Sequence, residues 1–132
     1  MSSEVEKGLV SLITTNSPQT SAAARMYPRL PQGITFPAIR YQRISSERFQ
    51  ALDANVGVNN VTIQVDCMAD SYSESKVLAD EVRVILHGYS GSWGTLTCHL
   101  CVMETENDLE YMDGDDVLHW VSQRYRIHTD ME

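Results

Sequence analysis

"VTIQVDCMADSYSESKVLADEVRVILHG", residues 61–88, carries the two strongest secondary-structure signals of the chain. Residues 61–68 alternate between apolar and polar side chains, which is the pattern of a half-buried strand. Residues 73–87 carry apolar side chains at helical spacing, and Ser73 and Gly88 suit the two ends of a helix. The predicted inward residues are Val61, Ile63, Val65 and Cys67 on the strand and Leu78, Val82, Ile85 and Leu86 on the helix. The segment therefore predicts a strand whose apolar face is covered by the following helix.

The flanking sequence adds one helix and three strands. Residues 3–13 contain a capping box, in which Ser3 and Glu6 can each bond the other's backbone N–H, and an apolar face at helical spacing. Further strands are predicted at residues 37–45, 95–104 and 117–128. The inward positions of the last two strands are Leu96, Cys98, Leu100 and Val102, and then Val121, Tyr125 and Ile127.

The element order α-β-β-α-β-β predicts an α+β fold. Because each element is apolar on one side only, two helices packed on one face of a mostly antiparallel β-sheet would bury all of these faces. The length of 132 residues fits a single domain over residues 1–132. The polar segments 46–59 and 105–116 are predicted as loops that become ordered, in part, by assembly.

Charge and cysteine content exclude several classes of protein. The net charge is −8, and such a chain should not grip a nucleic-acid backbone over a broad surface. No stretch approaches the roughly 18 apolar residues that span a bilayer, and the acidic amino terminus does not resemble a secretory signal, so we expect no membrane partner. Three cysteines in such a chain predict reduced thiols in a cytoplasm.

No pattern of catalytic or metal-binding residues stands out. Cys98 and Cys101 have CxxC spacing, but side chains three apart on a regular strand point to opposite faces, so these thiols should diverge. The acidic segment 104–116 lacks the ligand spacing of a calcium loop. Phosphate-binding and nucleophile motifs are also absent from the sequence. The sequence thus predicts a protein that is not an enzyme and holds no metal or cofactor.

Three segments resemble one protein family when they are taken in order. They are "MYPRLPQGITFPAIRYQRIS" (26–45), "ALDANVGVNNVTIQVDCMADSYSESKVLADEVRVIL" (51–86) and "ENDLEY" (106–111). Together they resemble the small tail-completion, or head–tail joining, proteins of long-tailed bacteriophages and prophages, over roughly residues 5–128. The prolines in the first segment would give a stiff arm, which loses little entropy when it docks.

The resemblance implies a structural assembly protein of the virion. Such a protein would be made in the host bacterial cytoplasm and would form a homo-oligomeric ring, commonly a hexamer, at the tail end or head–tail junction. Its partners would be tail-tube and neck or connector proteins, and DNA would pass through the ring without specific binding. A tail terminator and a neck adaptor both fit this description. The alternative reading is a monomeric α+β ligand-binding domain or small hydrolase, which the fold class alone would also allow.

The charge distribution suggests where copies of the chain would meet. Residues 1–50 carry a net charge of +3 and residues 51–132 a net charge of −11. This asymmetry fits either a solvated acidic face or a head-to-tail interface, in which two different patches meet. The candidate interface residues are Arg29, Arg40, Arg43, Glu104, Glu106, Asp108 and Glu110. Asp113, Asp115 and Asp116 are candidate lumen-facing acids that would repel DNA phosphates.

Overall fold

Two helices and six strands make up the part of the chain that the computed structural model describes, namely residues 4–16, 26–28, 38–50, 55–113 and 116–130. The helices are α1 (Glu4–Asn16) and α2 (Tyr72–Leu86). The strands are β1 (Met26–Tyr27), β2 (Ala38–Gln50), β3 (Asn55–Ala69), β4 (Gly91–Trp93), β5 (Leu96–Asp113) and β6 (Asp116–Asp130).

The six strands form one mixed sheet in the order β1-β2-β3-β6-β5-β4. Strands β3 and β6 lie at its centre and pair antiparallel from Val58 opposite Asp130 to Ala69 opposite His119. The hairpins β2–β3 and β5–β6 are antiparallel, as is the pair β4–β5, whereas β1 pairs parallel with β2. Both helices pack on the buried face of this sheet and share one hydrophobic core with it.

The architecture is α+β, but the predicted four-strand order is incomplete. It lacks β1, which has two residues, and β4, which has three. A strand this short contains too few residues to produce an alternating pattern, so its pairing depends on the neighbouring strand rather than on its own sequence.

The prediction of loops at 46–59 and 105–116 was wrong for most of both segments. Strand β2 continues to Gln50 and β3 begins at Asn55, while β5 continues to Asp113 and β6 begins at Asp116. Residues 104–110 are all exposed, so neither face of this strand has to be apolar. On one side of the strand, their backbone N–H and C=O groups are nevertheless hydrogen-bonded to β6. This pairing does not depend on the side chains, so it leaves no periodic pattern in the sequence.

Helix α2 and the centre of the sheet match the prediction closely. Leu78, Val82 and Leu86 are buried against the predicted inward faces of β3 and β6. The helix begins one residue earlier than expected because its N-cap is Ser71, whose side chain accepts a hydrogen bond of 3.2 Å from the Glu74 N–H. Gly88, directly after the C-cap, has a φ of 80°, a conformation that glycine adopts without strain.

A β-bulge at His99 changes which residues of β5 face the core. The register with β6 shifts between Cys98 and Leu100, so Cys101 is buried and Leu100 is 43 % exposed. Cys98 and Cys101 therefore both lie in the core, and the predictions that their thiols diverge and that Leu100 points inward were wrong. The extra residue of a bulge shifts the alternation of every later side chain by one position.

Helix α1 is fixed to the sheet by Trp93 of β4. The buried indole N–H of Trp93 donates a hydrogen bond of 2.8 Å to the Val5 carbonyl. Its ring lies against Gly8, where an added Cβ would come within 2.3 Å of the Trp93 Cδ1 atom. Gly8 thus lowers the helix propensity of α1 but allows the indole ring to approach the helix closely. The predicted N-cap, Ser3, lies outside the described residues.

The Gly8–Trp93 contact predicts that Gly8→Ala destabilises the protein. We expect the free energy of unfolding to fall by about 1–3 kcal/mol, because the steric overlap outweighs a gain of about 1 kcal/mol in helix propensity. Urea unfolding measures the change. Val84→Ala, at a position 74 % exposed on α2, is the control and should change the free energy by less than about 0.5 kcal/mol. A neutral Gly8→Ala would contradict the packing described.

Candidate functional site

Of the charged residues predicted to form an interface, those that the structure describes lie on β2 and β5, near both edges of the sheet. On β2, the Arg40 guanidinium donates hydrogen bonds of 3.0 Å and 2.6 Å to the Asp66 Oδ2 atom on β3. Asp66 is only 2 % exposed, and Gln64 also donates to its carboxylate. A buried carboxylate needs a counter-charge, so Arg40 stabilises the fold in addition to any role at an interface.

Arg43 connects the same strand to helix α1. Its Nε atom donates a hydrogen bond of 3.1 Å to the Glu6 Oε1 atom. The pair borders an open groove of about 510 Å³, which is lined by Glu6, Lys7, Val10, Ser11, Pro28 and Tyr41. Partial burial, with Glu6 adding to it, raises the pKa of Tyr41. Arg40 and Arg43 therefore both hold carboxylates of their own chain.

Two of the four acidic interface candidates on β5, which are Glu104, Glu106, Asp108 and Glu110, have cationic partners. Glu104 pairs with Arg126 at 3.0 Å, and Asp108 pairs with Lys76 of α2 at 2.9 Å. The hydrogen bond to Asp108 raises the pKa of Lys76. Both pairs are solvent-exposed, and exposed pairs contribute only about 0–1 kcal/mol each.

Glu106 joins a buried polar network instead. The Gln123 side-chain amide donates hydrogen bonds of 2.8 Å to Glu106 and 3.0 Å to the Ala79 carbonyl. The Tyr125 hydroxyl in turn donates a hydrogen bond of 2.8 Å to the Gln123 oxygen. Burial raises the pKa of Tyr125, so its hydroxyl keeps the proton that it donates. This network connects the exposed part of β5 to the core.

Glu110 borders a small cleft between β5, β6 and the start of α2. The cleft has a volume of about 160 Å³ and is lined by Tyr72, Ser75, Asp108, Leu109, Glu110, His119, Trp120 and Val121. The His119 Nδ1 atom is buried without a hydrogen-bond partner within the described part of the chain, and the Glu110 Oε1 atom lies 3.8 Å away. Glu106 and Glu110 contact no lysine or arginine among the described residues.

Four of the predicted site residues cannot be located at the side-chain level. Arg29 and Asp115 lie outside the described residues. Asp113 and Asp116 pair across the end of the β5–β6 hairpin, but their side chains are likewise outside the described part of the chain.

The three thiols are free and buried. Burial is the main cause of a raised pKa at each of them, and it raises the pKa of Cys98 to about 11. Thiolates are the reactive form of cysteine, so burial lowers the reactivity of these thiols near neutral pH. The described residues contain no group of three metal-ligating side chains. In the same part of the chain, neither helix is long and apolar enough to cross a lipid bilayer.

Comparison with known proteins decides the family. Residues 9–130 match the family described as tail completion protein gp17. The chain belongs to this family. It is therefore a structural protein of a phage-type virion and is located in the tail or neck of the particle. No curated protein matches the chain.

A solved structure shares the fold of this tail completion protein. It is a chain from the "Virion of native gene transfer agent (GTA) particle", with a TM-score of 0.60 and 14 % sequence identity. The match covers 98 % of this chain and 100 % of that one. Similarity at this level of identity establishes the common fold.

The Arg40–Asp66 pair predicts that removing the charge of Arg40 costs more stability than removing the charge of Lys76. Arg40→Met should lower the free energy of unfolding by about 2 kcal/mol, because it leaves the buried Asp66 charge unpaired. The loss stays below the roughly 3–5 kcal/mol of a fully buried pair because Arg40 is 36 % exposed. Lys76→Met, which removes an exposed pair, should cost less than about 1 kcal/mol. Equal losses in urea unfolding would contradict a structural role for Arg40.

Thiol labelling provides a separate check on the core. At pH 8, iodoacetamide should modify none of the three cysteines in the folded protein and all three in urea. The reason is that a thiol with a pKa of about 11 is ionised only about one part in a thousand at that pH, and Cys98 is also buried. Rapid labelling of Cys98 in the native protein would contradict the description of β5.

Proposed function

We propose that this tail completion protein forms a ring of six copies at the tail end or head–tail junction, where it completes the tail and joins it to the head. The observation that carries this proposal is the family match over residues 9–130. The match also supports a single domain within residues 1–132, because it covers residues 9–130 of them. A gene transfer agent virion contains a chain of the same fold, which is consistent with a role in a particle.

The proposed role is structural and involves no catalytic step and no cofactor. A ring acts through its contacts with tail-tube and neck or connector proteins, and DNA passes through its lumen without specific binding. Asp113, Asp115 and Asp116 at the β5–β6 turn would contribute to a negative lumen, because like charge opposes binding of the DNA phosphates.

Charges on the two edges of the sheet would orient neighbouring copies. We propose a basic side formed by Arg29, Arg40 and Arg43 and an acidic side formed by Glu104, Glu106, Asp108 and Glu110. Since Arg40 and Arg43 already hold Asp66 and Glu6, a carboxylate of the neighbour would share their guanidinium groups rather than replace their partners. Such contacts act more on association rate and orientation than on affinity.

The first test is the mass of the purified protein. Sedimentation or native mass measurement at increasing concentration should detect an assembly of six 14.9 kDa chains, and raising the ionic strength should weaken it. Protein that remains monomeric at every concentration, and also in the presence of isolated tails, would contradict the ring.

A charge reversal on β5 tests the acidic side. Glu110→Arg should weaken assembly at low salt, because Glu110 is exposed and unpaired with any described lysine or arginine. Asp70→Arg makes the same charge change at an exposed residue of the turn between β3 and α2, and it should assemble like the unmodified chain. Arg43→Glu is a poorer test, since it would place two carboxylates together at Glu6. Equal behaviour of the two reversals would contradict charge orientation.

A further inference from the structure

The outer side of β5 is covered along only part of its length. Strand β4 pairs with residues from Leu96 to Cys98, and residues 88–89 exchange backbone hydrogen bonds with Cys101. The Met103 N–H donates to His87 Nδ1 at 3.1 Å. Beyond Met103, no described strand pairs with this side of β5.

The register determines which backbone groups point to this open side. Cys101 bonds outward, and peptide groups alternate in direction along an antiparallel pair. After the second bulge, between Met103 and Thr105, every second residue of β5 again has its backbone groups directed away from β6. These residues are Glu106, Asp108 and Glu110, so their N–H groups point to the open side. Three consecutive outward positions of β5 are thus available to another strand.

Strand β2 has a similar open side at the other edge of the sheet. Strand β1 pairs only with Ile39 and Arg40, and no described strand pairs with β2 beyond them. Ser46 lies opposite Val61, whose own peptide groups are directed toward β6, so the Ser46 N–H points outward.

We propose that β5 of one copy pairs antiparallel with β2 of the next copy, so that the sheet continues from subunit to subunit. This inference rests on the proposed ring and identifies the surfaces that close it. Successive antiparallel pairings make β2 and β5 run in opposite directions, so a copy added in the same orientation presents its β2 antiparallel to β5. Addition of a strand to a sheet edge is a common mode of protein recognition.

The charges of the two edges favour this pairing over a two-fold one. The side chains of Glu106, Asp108 and Glu110 share the helix side of the sheet, so β5 paired with another β5 would bring carboxylates opposite one another. The open part of β2, residues 41–50, contains two arginines and one acidic residue, so its net charge is positive. Pairing of two different edges is heterologous, so each added copy leaves an edge for the next one and the assembly does not stop at a dimer, as a ring requires.

Exposed apolar residues lie on both open edges. Ile44, at a bulge of β2, is 40 % exposed, and Leu109 of β5 is 43 % exposed. An open edge of this kind is an aggregation hazard for a protein that works alone, whereas pairing with a neighbour would satisfy the backbone and shield these side chains.

The positions of the open segments also require a shift between copies. Through the strand registers Glu106 lies level with Tyr41, so the open parts of β5 and β2 lie toward opposite ends of the sheet. Matching them displaces the neighbour along the strand direction. The strands would then be inclined to the ring axis, as they are in every closed sheet.

Two proline variants test the proposal, because proline removes the outward N–H but no ladder bond within the chain. Glu110→Pro should lose self-association, whereas Glu110→Ala, which removes the same carboxylate but keeps the outward N–H, should only weaken it. Ser46→Pro should also lose it, while Ser46→Ala, which equally removes the 3.0 Å hydrogen bond to Asn59, should keep it. Native mass measurement provides the readout.

A mixture of the two proline variants distinguishes edge pairing from misfolding. Glu110→Pro retains an intact β2 edge and Ser46→Pro an intact β5 edge, so the mixture should form a one-to-one heterodimer and nothing larger. A mixture that stays monomeric, or assembly by either proline variant alone, overturns edge pairing. If the unmodified chain never self-associates, the ring itself is contradicted; if all four variants assemble, the ring stands and only the edge pairing fails.

Discussion

The antiparallel pairing of β3 with β6 is the constraint on which the rest of the structure depends. It joins the hairpins β2–β3 and β5–β6 over the whole stretch between Val58 and Ala69. Its apolar side, with Val61, Ile63, Val121 and Tyr125, provides the surface on which α2 packs. The same pairing sets the direction of β2 relative to β5, so the geometry of the two sheet edges follows from the centre of the sheet.

Several polar groups in this fold have structural roles that would also matter in the proposed assembly. Asp66 is buried and held by Arg40, and buried Gln123 joins Tyr125 to Glu106. Each interaction connects β2 or β5 to the interior of the sheet. In the proposed assembly, these connections would fix β2 and β5 in position before a neighbouring copy arrives, and this would lower the entropic cost of docking.

The sequence was sufficient to predict the centre of the fold but not its edges. Residues 61–88 were interpretable because each element there buries one face, and burial produces a periodic pattern. Strand β5 beyond Met103 is exposed on both faces, so its sequence resembles a loop even though its backbone is paired. The bulge at His99 was not predictable, because no residue type there requires it, and it reversed the orientation of Leu100 and Cys101.

The sequence nominated the residues of the candidate site, which stay a prediction, but it did not indicate their contacts within the chain. Charge asymmetry selected Arg40, Arg43 and the acids of β5, yet it gave no indication that Asp66 and Glu6 are the partners of the two arginines. Those pairs join residues 26 and 37 positions apart in the chain. The burial of Gln123 was not predicted, because glutamine is a polar residue type. The only sign of it in the sequence is that Gln123 lies on the same side of the strand as Val121 and Tyr125.

Amide hydrogen exchange at single-residue resolution tests the central claim, that the open edges of the sheet carry the assembly, most directly. Exchange of the free chain would be compared with exchange of the assembled ring. The account predicts that the N–H groups of Glu106, Asp108 and Glu110 exchange fast in the free chain and slowly in the ring, while Asn107 and Leu109, already bonded to β6, are slow in both. Unchanged fast exchange at the three outward positions in an assembled ring would contradict it.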